Sequence, residues 1–274
     1  MRSLIPILRN QVLRHAARIL VKSGTFRRHL GALDPNLDPD FLRAVGLIRN
    51  ATDEEALFVR DLVSGANSCA QLRQDLWVLH ETRRKRNGYF VEFGATDGAR
   101  LSNTYLLERE FGWRGILAEP NPAWHADLAR NRRADIDFRC VFHATGERIK
   151  FAATRYRELG TILGFESSDG HREARREHSI IEVETVSLDD LLGQHGAPRD
   201  IDYISVDTEG SELEILEHFD FVRWNVTLFS VEHNSTEQEQ GLDRLMQRHG
   251  YERRYPSYSW FDAWYKKVRG AAGE

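Results

Sequence analysis

From Gly88 onward, short apolar runs alternate along the chain with stretches whose apolar residues recur at helical spacing. The apolar runs predict strands at Tyr89–Phe93, Gly115–Ala118, Ile136–Phe142, Ile201–Val206 and Val226–Val231. The intervening stretches predict helices near Ser102–Glu110, after Asn121 and Pro122, over Leu188–Gln194 behind a Ser187 cap, over Ser211–His218 and over Thr236–His249. Strands and helices that alternate in this way predict an α/β fold with a mostly parallel sheet.

Four further segments depart from this alternation. Ile149–Ala153 and Ile180–Thr185 predict an antiparallel excursion around a polar loop. Tyr251–Tyr255 and Trp260–Tyr265 predict two strands that close the sheet.

The first 86 residues predict a helical N-terminal extension to a domain of residues 87–274. Within the extension, residues 4–22 predict an amphipathic helix, Gly31–Asp40 a linker, and residues 52–86 further helix. Residues 1–30 contain seven Lys or Arg and no Asp or Glu. The first helix therefore has two interpretations. It packs on its own domain or on a second subunit of a homo-oligomer, or it makes a peripheral contact with an anionic membrane surface. A cleaved targeting peptide is a third, less favoured interpretation.

Composition and charge narrow the class of protein. Hydrophobic residues make up 41% and charged residues 29%, which is typical of a globular chain. The net charge of -4 argues against nucleic acid as the main partner. The two cysteines form no disulfide framework and no metal-binding spacing, so a reducing, cytoplasmic compartment is expected. No apolar run long enough to span a membrane and no signal peptide is recognised, and any membrane contact would be at the inner face.

The first predicted strand runs into a turn that contains two glycines, in the segment VEFGATDG from Val91. Gly94 and Gly98 allow a tight turn and close approach of the backbone to a ligand. Their spacing is not GxGxxG, so it suits S-adenosylmethionine, which has no phosphate, better than a dinucleotide. In this interpretation Glu92 accepts hydrogen bonds from the cofactor's ammonium group, and Asp97 completes the wall of the site. The alternative is a plain loop.

An acid also ends the second predicted strand. Glu119 lies 25 residues beyond Gly94, where a carboxylate in Rossmann-like folds binds the two ribose hydroxyls of a nucleoside. At the end of the third predicted strand, Cys140 and Val141 are expected to border the adenine. The alternative for Glu119 is an ordinary acid at the end of a strand.

The fourth and fifth predicted strands end in further polar side chains. Asp207 and Glu209 follow the fourth strand, and Glu232, His233 and Asn234 follow the fifth. Because ligands bind beyond the carboxyl ends of parallel strands, these residues are candidates to orient and deprotonate a substrate hydroxyl. The alternatives are that Asp207 caps the next helix, that Glu209 is only solvated, and that His233 is structural.

Two arrangements of these candidates fit the sequence. In the first, His233 takes the hydroxyl proton and Glu232 holds the imidazole ring. In the second, Asp207 and Glu232 bind a divalent metal ion, magnesium or manganese. The metal-free arrangement is preferred, because only two clear carboxylate ligands are visible. The loop Gly160–His178 either closes over the acceptor, with Asp169, His171 and Arg172, or is an exposed charged loop.

Together these motifs resemble the FkbM family of S-adenosylmethionine-dependent methyltransferases. The resemblance covers roughly residues 88–265 and is carried by VEFGATDGARLSNTYLLE from Val91, GILAEPNPAWH from Gly115, SLDDLL from Ser187, IDYISVDTEGSELEIL from Ile201, VEHN from Val231 and FDAWY from Phe261. It implies the Rossmann-like sheet of class I methyltransferases, with seven mostly parallel strands and an antiparallel last strand. It also implies methyl transfer to a hydroxyl of a sugar, a polysaccharide or a secondary metabolite.

One residue departs from the family pattern, since many members have Asp where this chain has Glu92. Because of this departure, the acceptors of other family members are a weaker guide to the acceptor of this chain.

Two other function classes remain open. A nicotinamide-dependent oxidoreductase on a similar sheet is disfavoured by the missing GxGxxG motif. A catalytically silent partner protein with the same fold is disfavoured by the acids at Glu92, Glu119, Asp207 and Glu232.

Overall fold

The structure is a computed structural model that describes residues 57–59, 61–62, 67–154, 159–165, 177–234, 236 and 238–268. The predicted amphipathic helix over residues 4–22 and the linker Gly31–Asp40 lie outside the described residues. So do Asp169, His171 and Arg172 of the predicted acceptor loop. No helix in the described ranges is both long enough and apolar enough to cross a membrane.

The described residues fall into two compact units. One contains residues 57–59, 61–62, 67–68 and Asp75–Arg84, and the other contains Cys69–Gln74 and the described residues from Lys85 onward.

In the first unit, residues 57–59 and 61–62 are helical and contact helix α1 (Gln74–Glu81). The His80 ring lies 5.3 Å from the Phe58 ring, and its Nδ1 lies 2.9 Å from Asp61 Oδ2. The prediction of helix over residues 52–86 is only partly confirmed, because residues 67–73 are not helical and α1 ends at Glu81. Arg83 and Arg84 have φ angles of 53° and 56°, a left-handed conformation that an α-helix does not continue through.

The second unit contains eleven strands and six further helices. The strands are β1 (Tyr89–Phe93), β2 (Arg114–Ala118), β3 (Asp135–Asp137), β4 (Cys140–Phe142), β5 (Arg148–Thr154), β6 (Thr161–Ile162), β7 (His178–Ser187), β8 (Asp200–Val206), β9 (Asn225–Glu232), β10 (Tyr251–Arg254) and β11 (Asp262–Lys267). The helices are α2 (Tyr105–Phe111), α3 (Pro122–Asn131), α4 (Leu188–Gln194), α5 (Glu212–Glu217), α6 (Gln238–Arg248) and α7 (Pro256–Ser259).

Seven of these strands form the main sheet, in the order β10-β11-β9-β8-β1-β2-β3. Strands β9, β8, β1, β2 and β3 pair in parallel, whereas β11 is antiparallel to both β9 and β10. All five residues of β1 are buried, as expected for a central strand covered on both faces. The predicted α/β fold is confirmed, with a mixed sheet.

The strand predicted over Ile136–Phe142 is wrong as a single element. It splits into β3, which pairs with β2 in the main sheet, and β4, which pairs with β7 in a second sheet. Asp137 is the cause of the break. Its Oδ1 accepts a hydrogen bond from the backbone N–H of Arg139 at 2.9 Å, and this local turn competes with strand pairing.

The second sheet has the order β4-β7-β5-β6. Strands β5 and β7 pair antiparallel from Arg148–Glu184 to Thr154–His178, so the predicted antiparallel excursion is confirmed. Two predicted helix caps are also present. The side chain of Asn121 accepts from the Ala123 N–H, and that of Ser187 accepts from the Asp190 N–H.

Candidate functional site

A cleft of about 490 Å³ lies beyond the carboxyl ends of β1, β2, β8 and β9. Parallel strands bring their ends to the same edge of a sheet, so residues distant in sequence meet here. Nine of the twelve residues that the sequence places at the ends of these strands line this cleft: Glu92, Gly94, Glu119, Cys140, Val141, Asp207, Glu209, Glu232 and Asn234.

Gly94 forms the floor of the first turn. Its φ angle is +78°, and a Cβ atom placed on it would lie 1.9 Å from the Asp207 carbonyl oxygen. Its backbone N–H donates to the Ala118 carbonyl at 3.1 Å. The turn after β1 therefore packs against the end of β8, and only glycine fits between them.

Glu92 is buried and holds the start of the segment that leads to α2. Its Oε1 accepts from the Asn103 N–H at 2.7 Å, and its Oε2 accepts from the hydroxyls of Ser102 and Thr104. Arg132 Nη1 lies 3.5 Å from the same Oε2. The carboxylate lines the cleft, but most of its acceptor capacity is used by the protein.

Asp97 and Gly98 do not line the cleft. Asp97 Oδ1 accepts from the N–H groups of Ala99 and Arg100 at 2.9 and 2.8 Å, which stabilises the turn itself. Gly98 has a φ angle of +77°, and a Cβ atom there would lie 2.6 Å from side-chain atoms of Leu128 and Arg132. This glycine allows the turn to pack on α3, a structural role for a residue that the sequence assigns to the cofactor.

Glu119 lies at the end of β2, buried against backbone donors. Its Oε1 accepts from the Asn121 N–H and its Oε2 from the Thr96 N–H, at 2.8 and 2.9 Å. Burial raises the pKa of this carboxyl to about 7, although the two backbone hydrogen bonds act in the opposite direction. Each oxygen keeps one further acceptor position, as a pair of adjacent hydroxyls would require.

One apolar wall of the cleft comes from the second sheet. Cys140 and Val141 of β4 line it together with Phe151 of β5 and Ile162 of β6. Burial raises the pKa of the Cys140 thiol to about 12, so this cysteine is a small apolar residue here. The sequence did not indicate Phe151 or Ile162, because the pairing of β5 with β6 and β7 depends on contacts between distant segments.

Three carboxylates that line the cleft lie close together, at a place that we call the acidic end: Asp207, Glu209 and Glu232. One oxygen from each lies within 4.8 Å of the others. Burial, together with the neighbouring charge of Asp262, raises the pKa of Asp207 to about 7. Burial and the Asp207 charge also raise the pKa of Glu232. The acidic end therefore concentrates negative charge in a place where water screens it little.

Asp262 is a fourth acid beside this group, and sequence reasoning missed it. It opens β11 and lies directly opposite Glu232 in the antiparallel pairing of β11 with β9. Its carboxylate accepts from Gln74 Nε2 at 2.7 Å, and burial raises its pKa to about 6. The segment FDAWY contained the signal, but an acid at the start of a closing strand indicates a site only when the strand order is known.

The loop after β8 is held by Glu212. Its side chain accepts from the N–H groups of Thr208 and Gly210 at 2.8 and 3.0 Å. Glu212 thus organises the loop before α5, whereas the Ser211 side chain at the N-cap of this helix makes no capping hydrogen bond. Glu209 has a φ angle of 61°, a left-handed conformation that costs a non-glycine residue free energy.

His233 does not join its sequence neighbours in the cleft, whereas Asn234 does. The His233 side chain is only 1% exposed. Its Nε2 lies 3.3 Å from Arg253 Nη2, and its Nδ1 lies 3.8 Å from Glu239 Oε2. Burial lowers its pKa, and the cationic Arg253 adds to that effect. Strand β9 ends at Glu232, so His233 lies in the segment that follows, where its backbone N–H donates to the Phe261 carbonyl at 2.8 Å.

Comparisons with known proteins show the family to which the chain belongs. Residues 92–253, more than half of the chain, match the family model of the methyltransferase FkbM domain. No curated protein sequence matches. Two solved structures are similar: a protein of Pyrococcus horikoshii assigned as an RNA methyltransferase (TM-score 0.38, 9% identity, 71% of this chain and 82% of that one) and a protein of Galdieria sulphuraria assigned as a sarcosine dimethylglycine methyltransferase (TM-score 0.29, 12% identity, 74% and 76%). Both TM-scores are below 0.5, so neither bears on the substrate.

Proposed function

Because the chain belongs to the FkbM methyltransferase family, we propose that it is an S-adenosylmethionine-dependent O-methyltransferase. Its acceptor is a hydroxyl of a sugar, a polysaccharide or a secondary metabolite. One observation carries the proposal: a single cleft joins the Gly94–Glu119 half to the acidic end at Asp207 and Glu232. The strand order, with an antiparallel last strand between β9 and β10, supports a class I methyltransferase sheet.

The residues at one half of the cleft fit S-adenosylmethionine. Glu119 has the spare acceptor positions that the hydroxyls of a ribose need. Gly94 has no side chain, so the cofactor's amino-acid part could approach the backbone there. Phe151 and Ile162 provide an apolar wall for an adenine ring, beside Val141. When bound, this cofactor supplies a methyl group on a positively charged sulfur that an oxygen nucleophile can attack.

The acidic end fits a hydroxyl-bearing acceptor. Carboxylates accept hydrogen bonds from hydroxyl groups and fix their direction, and an attacking oxygen must be held close to and in line with the transferred methyl. Asn234 lines the same end and offers an amide donor and acceptor. A sugar or a polyol presents several hydroxyls to such a surface. The family match gives no support to a nicotinamide-dependent oxidoreductase.

The first test is cofactor binding by the full chain. We expect S-adenosylhomocysteine to raise the melting temperature and NAD to leave it unchanged, since only a ligand of the native state stabilises it. Stabilisation by NAD alone would favour the oxidoreductase. The second test is methyl transfer to a panel of sugars, glycans and small alcohols, read by mass. Cofactor binding with no methylated product on any member would favour the silent partner protein.

A further inference from the structure

The acidic end has the composition of a cation site. Asp207, Glu209 and Glu232 each offer a carboxylate oxygen, and the three oxygens lie within 4.8 Å of one another. Oxygens that share a hard divalent ion lie about 3–5 Å apart, since metal–oxygen distances are about 2.0–2.6 Å. The ligand type is equally specific, because carboxylate oxygens without imidazole or thiolate favour magnesium, manganese or calcium over zinc.

A second observation points to a missing ligand. Glu232 is 9% exposed, yet its Oε2 has no hydrogen-bond partner among the described residues. Buried polar side-chain atoms are nearly always partnered, because leaving one unpaired costs free energy. A bound cation would satisfy this oxygen.

The scaffold holds the three carboxylates in fixed positions. Asp207 directly follows the buried end of β8, and Glu232 ends β9, which pairs with strands on both sides. The backbone carbonyl of Glu209 accepts from the Thr161 hydroxyl at 2.9 Å, which ties this loop to β6. Carboxylates held in this way would bind an ion without a large ordering cost.

We propose that Asp207, Glu209 and Glu232 bind one hard divalent cation, with its remaining coordination positions facing the cleft. Binding of the ion depends only on these three residues and not on the proposed function. The use of the site rests on the proposed function: a cation here would coordinate the acceptor hydroxyl, orient it and make its proton easier to lose. The arrangement of Asp207 and Glu232 around a metal, which the sequence left as the less favoured one, gains its third ligand from Glu209.

The test titrates the full chain with Mn²⁺ alone and follows the free Mn²⁺ signal by electron paramagnetic resonance. We expect saturable binding of about one ion per chain, and Mg²⁺ and Ca²⁺ in competition would report which size the site prefers. Glu209→Gln and Glu232→Gln should each weaken binding by at least about 10-fold. Glu119→Gln is the matched control, because it removes a buried acid from the other half of the same cleft and should leave Mn²⁺ binding unchanged.

Absence of saturable Mn²⁺ binding, or equal binding by wild type and both variants, would overturn the proposal. Melting curves in EDTA identify any variant that fails to fold, and Asp207→Asn then provides a third independent ligand substitution. Binding of S-adenosylhomocysteine in EDTA separates this proposal from the proposed function. If that binding is intact while Mn²⁺ does not bind, only the cation site fails. If Mn²⁺ binds and S-adenosylhomocysteine does not, only the proposed function fails.

Discussion

The carbonyl oxygen of Asp207 occupies the space that a side chain on Gly94 would need, 1.9 Å from the position of a Cβ atom. This contact joins the turn after β1 to the end of β8. The two halves of the cleft, Gly94 with Glu119 and the acidic end around Asp207, are therefore fixed relative to each other by backbone atoms. A rigid link of this kind suits a reaction in which two bound groups must be aligned.

Gly94→Ala should disrupt this link. Alanine meets both an unfavourable positive φ and a backbone atom that cannot rotate away, so we expect a loss of at least about 3 kcal/mol of stability. The matched control is Gly146→Ala, which shares a positive φ of 85° but meets no atom within 4 Å, and it should cost only about 1–2 kcal/mol. Urea unfolding of both variants measures the difference, and equal losses would show that the Asp207 contact is readily relieved.

Much of the fold could be predicted from the sequence, because its signals are local. A strand buried on both faces is a mostly apolar run, as in β1 with its single acid Glu92, and helix caps such as Asn121 and Ser187 act within three residues. Glu119 and Asp207 could be predicted as site residues for the same reason, since each directly ends or follows a strand. The register and order of strands are not local. For that reason the pairing of β4 with β7 in a second sheet was not predicted.

The same limit applies to the site. Asp262 enters it only through the pairing of β11 with β9, and Phe151 only through the second sheet. Gly98 and Asp97 belong to the motif in the sequence, but their side of the turn faces α3 and the turn's own backbone. A motif therefore predicts where a site lies more reliably than which of its residues face the ligand.

Cofactor binding should depend on pH through Glu119. Burial raises the pKa of this carboxyl to about 7, and the ionised form is the better acceptor for two ribose hydroxyls. As pH rises from 6 to 8 the ionised fraction grows about 10-fold, so the affinity for S-adenosylhomocysteine should rise by up to that factor. Glu119→Gln should bind about 10-fold more weakly at pH 8 and lose this pH dependence. Calorimetry between pH 6 and 8 measures the affinity of both proteins. A wild-type affinity that does not change with pH would show that Glu119 does not bind the ribose.

Arg132 directly follows α3 and donates a hydrogen bond to the turn after β1, and its loss should be costly to stability. It is fully buried, donates to Glu108 at 3.0 Å and to the Gly98 carbonyl at 3.0 Å, and lies beside Glu92. Arg132→Met would leave two buried acids without their cation, which costs about 3–5 kcal/mol. The control is Arg130→Met on the same helix, where the exposed pair with Asp127 should contribute less than about 1 kcal/mol. Chemical unfolding would compare the two, and similar values would mean that Arg132 is solvated.

Asp137 should make the protein sensitive to acid. Burial would raise its pKa, but hydrogen bonds from Arg139 and His195 outweigh burial and hold the pKa at about 2. Because the pKa is depressed on folding, this stabilisation is present above about pH 4 and is lost as pH falls towards 2. Asp137→Asn should therefore destabilise the protein by about 1–2 kcal/mol at neutral pH and by progressively less below pH 4. Thermal unfolding between pH 2.5 and 7 would show this convergence, with the exposed Asp127→Asn as a control that stays constant.

The final prediction separates His233 from Glu232, which are adjacent in sequence but not in role. His233 is packed beside Arg253 and does not line the cleft, whereas Glu232 lines the acidic end. His233→Ala should lower the melting temperature, because the Arg253 contact and the packing are lost, while turnover changes by less than about 3-fold. Glu232→Gln should lower turnover by about 10²-fold or more with little change in the affinity for S-adenosylhomocysteine. Steady-state kinetics on an identified acceptor, with calorimetry for the cofactor, would measure each effect. If His233→Ala instead lowers turnover by 10²–10⁴-fold at an unchanged melting temperature, His233 is the general base. Arg253 and Glu239 would then have to release its imidazole during the reaction.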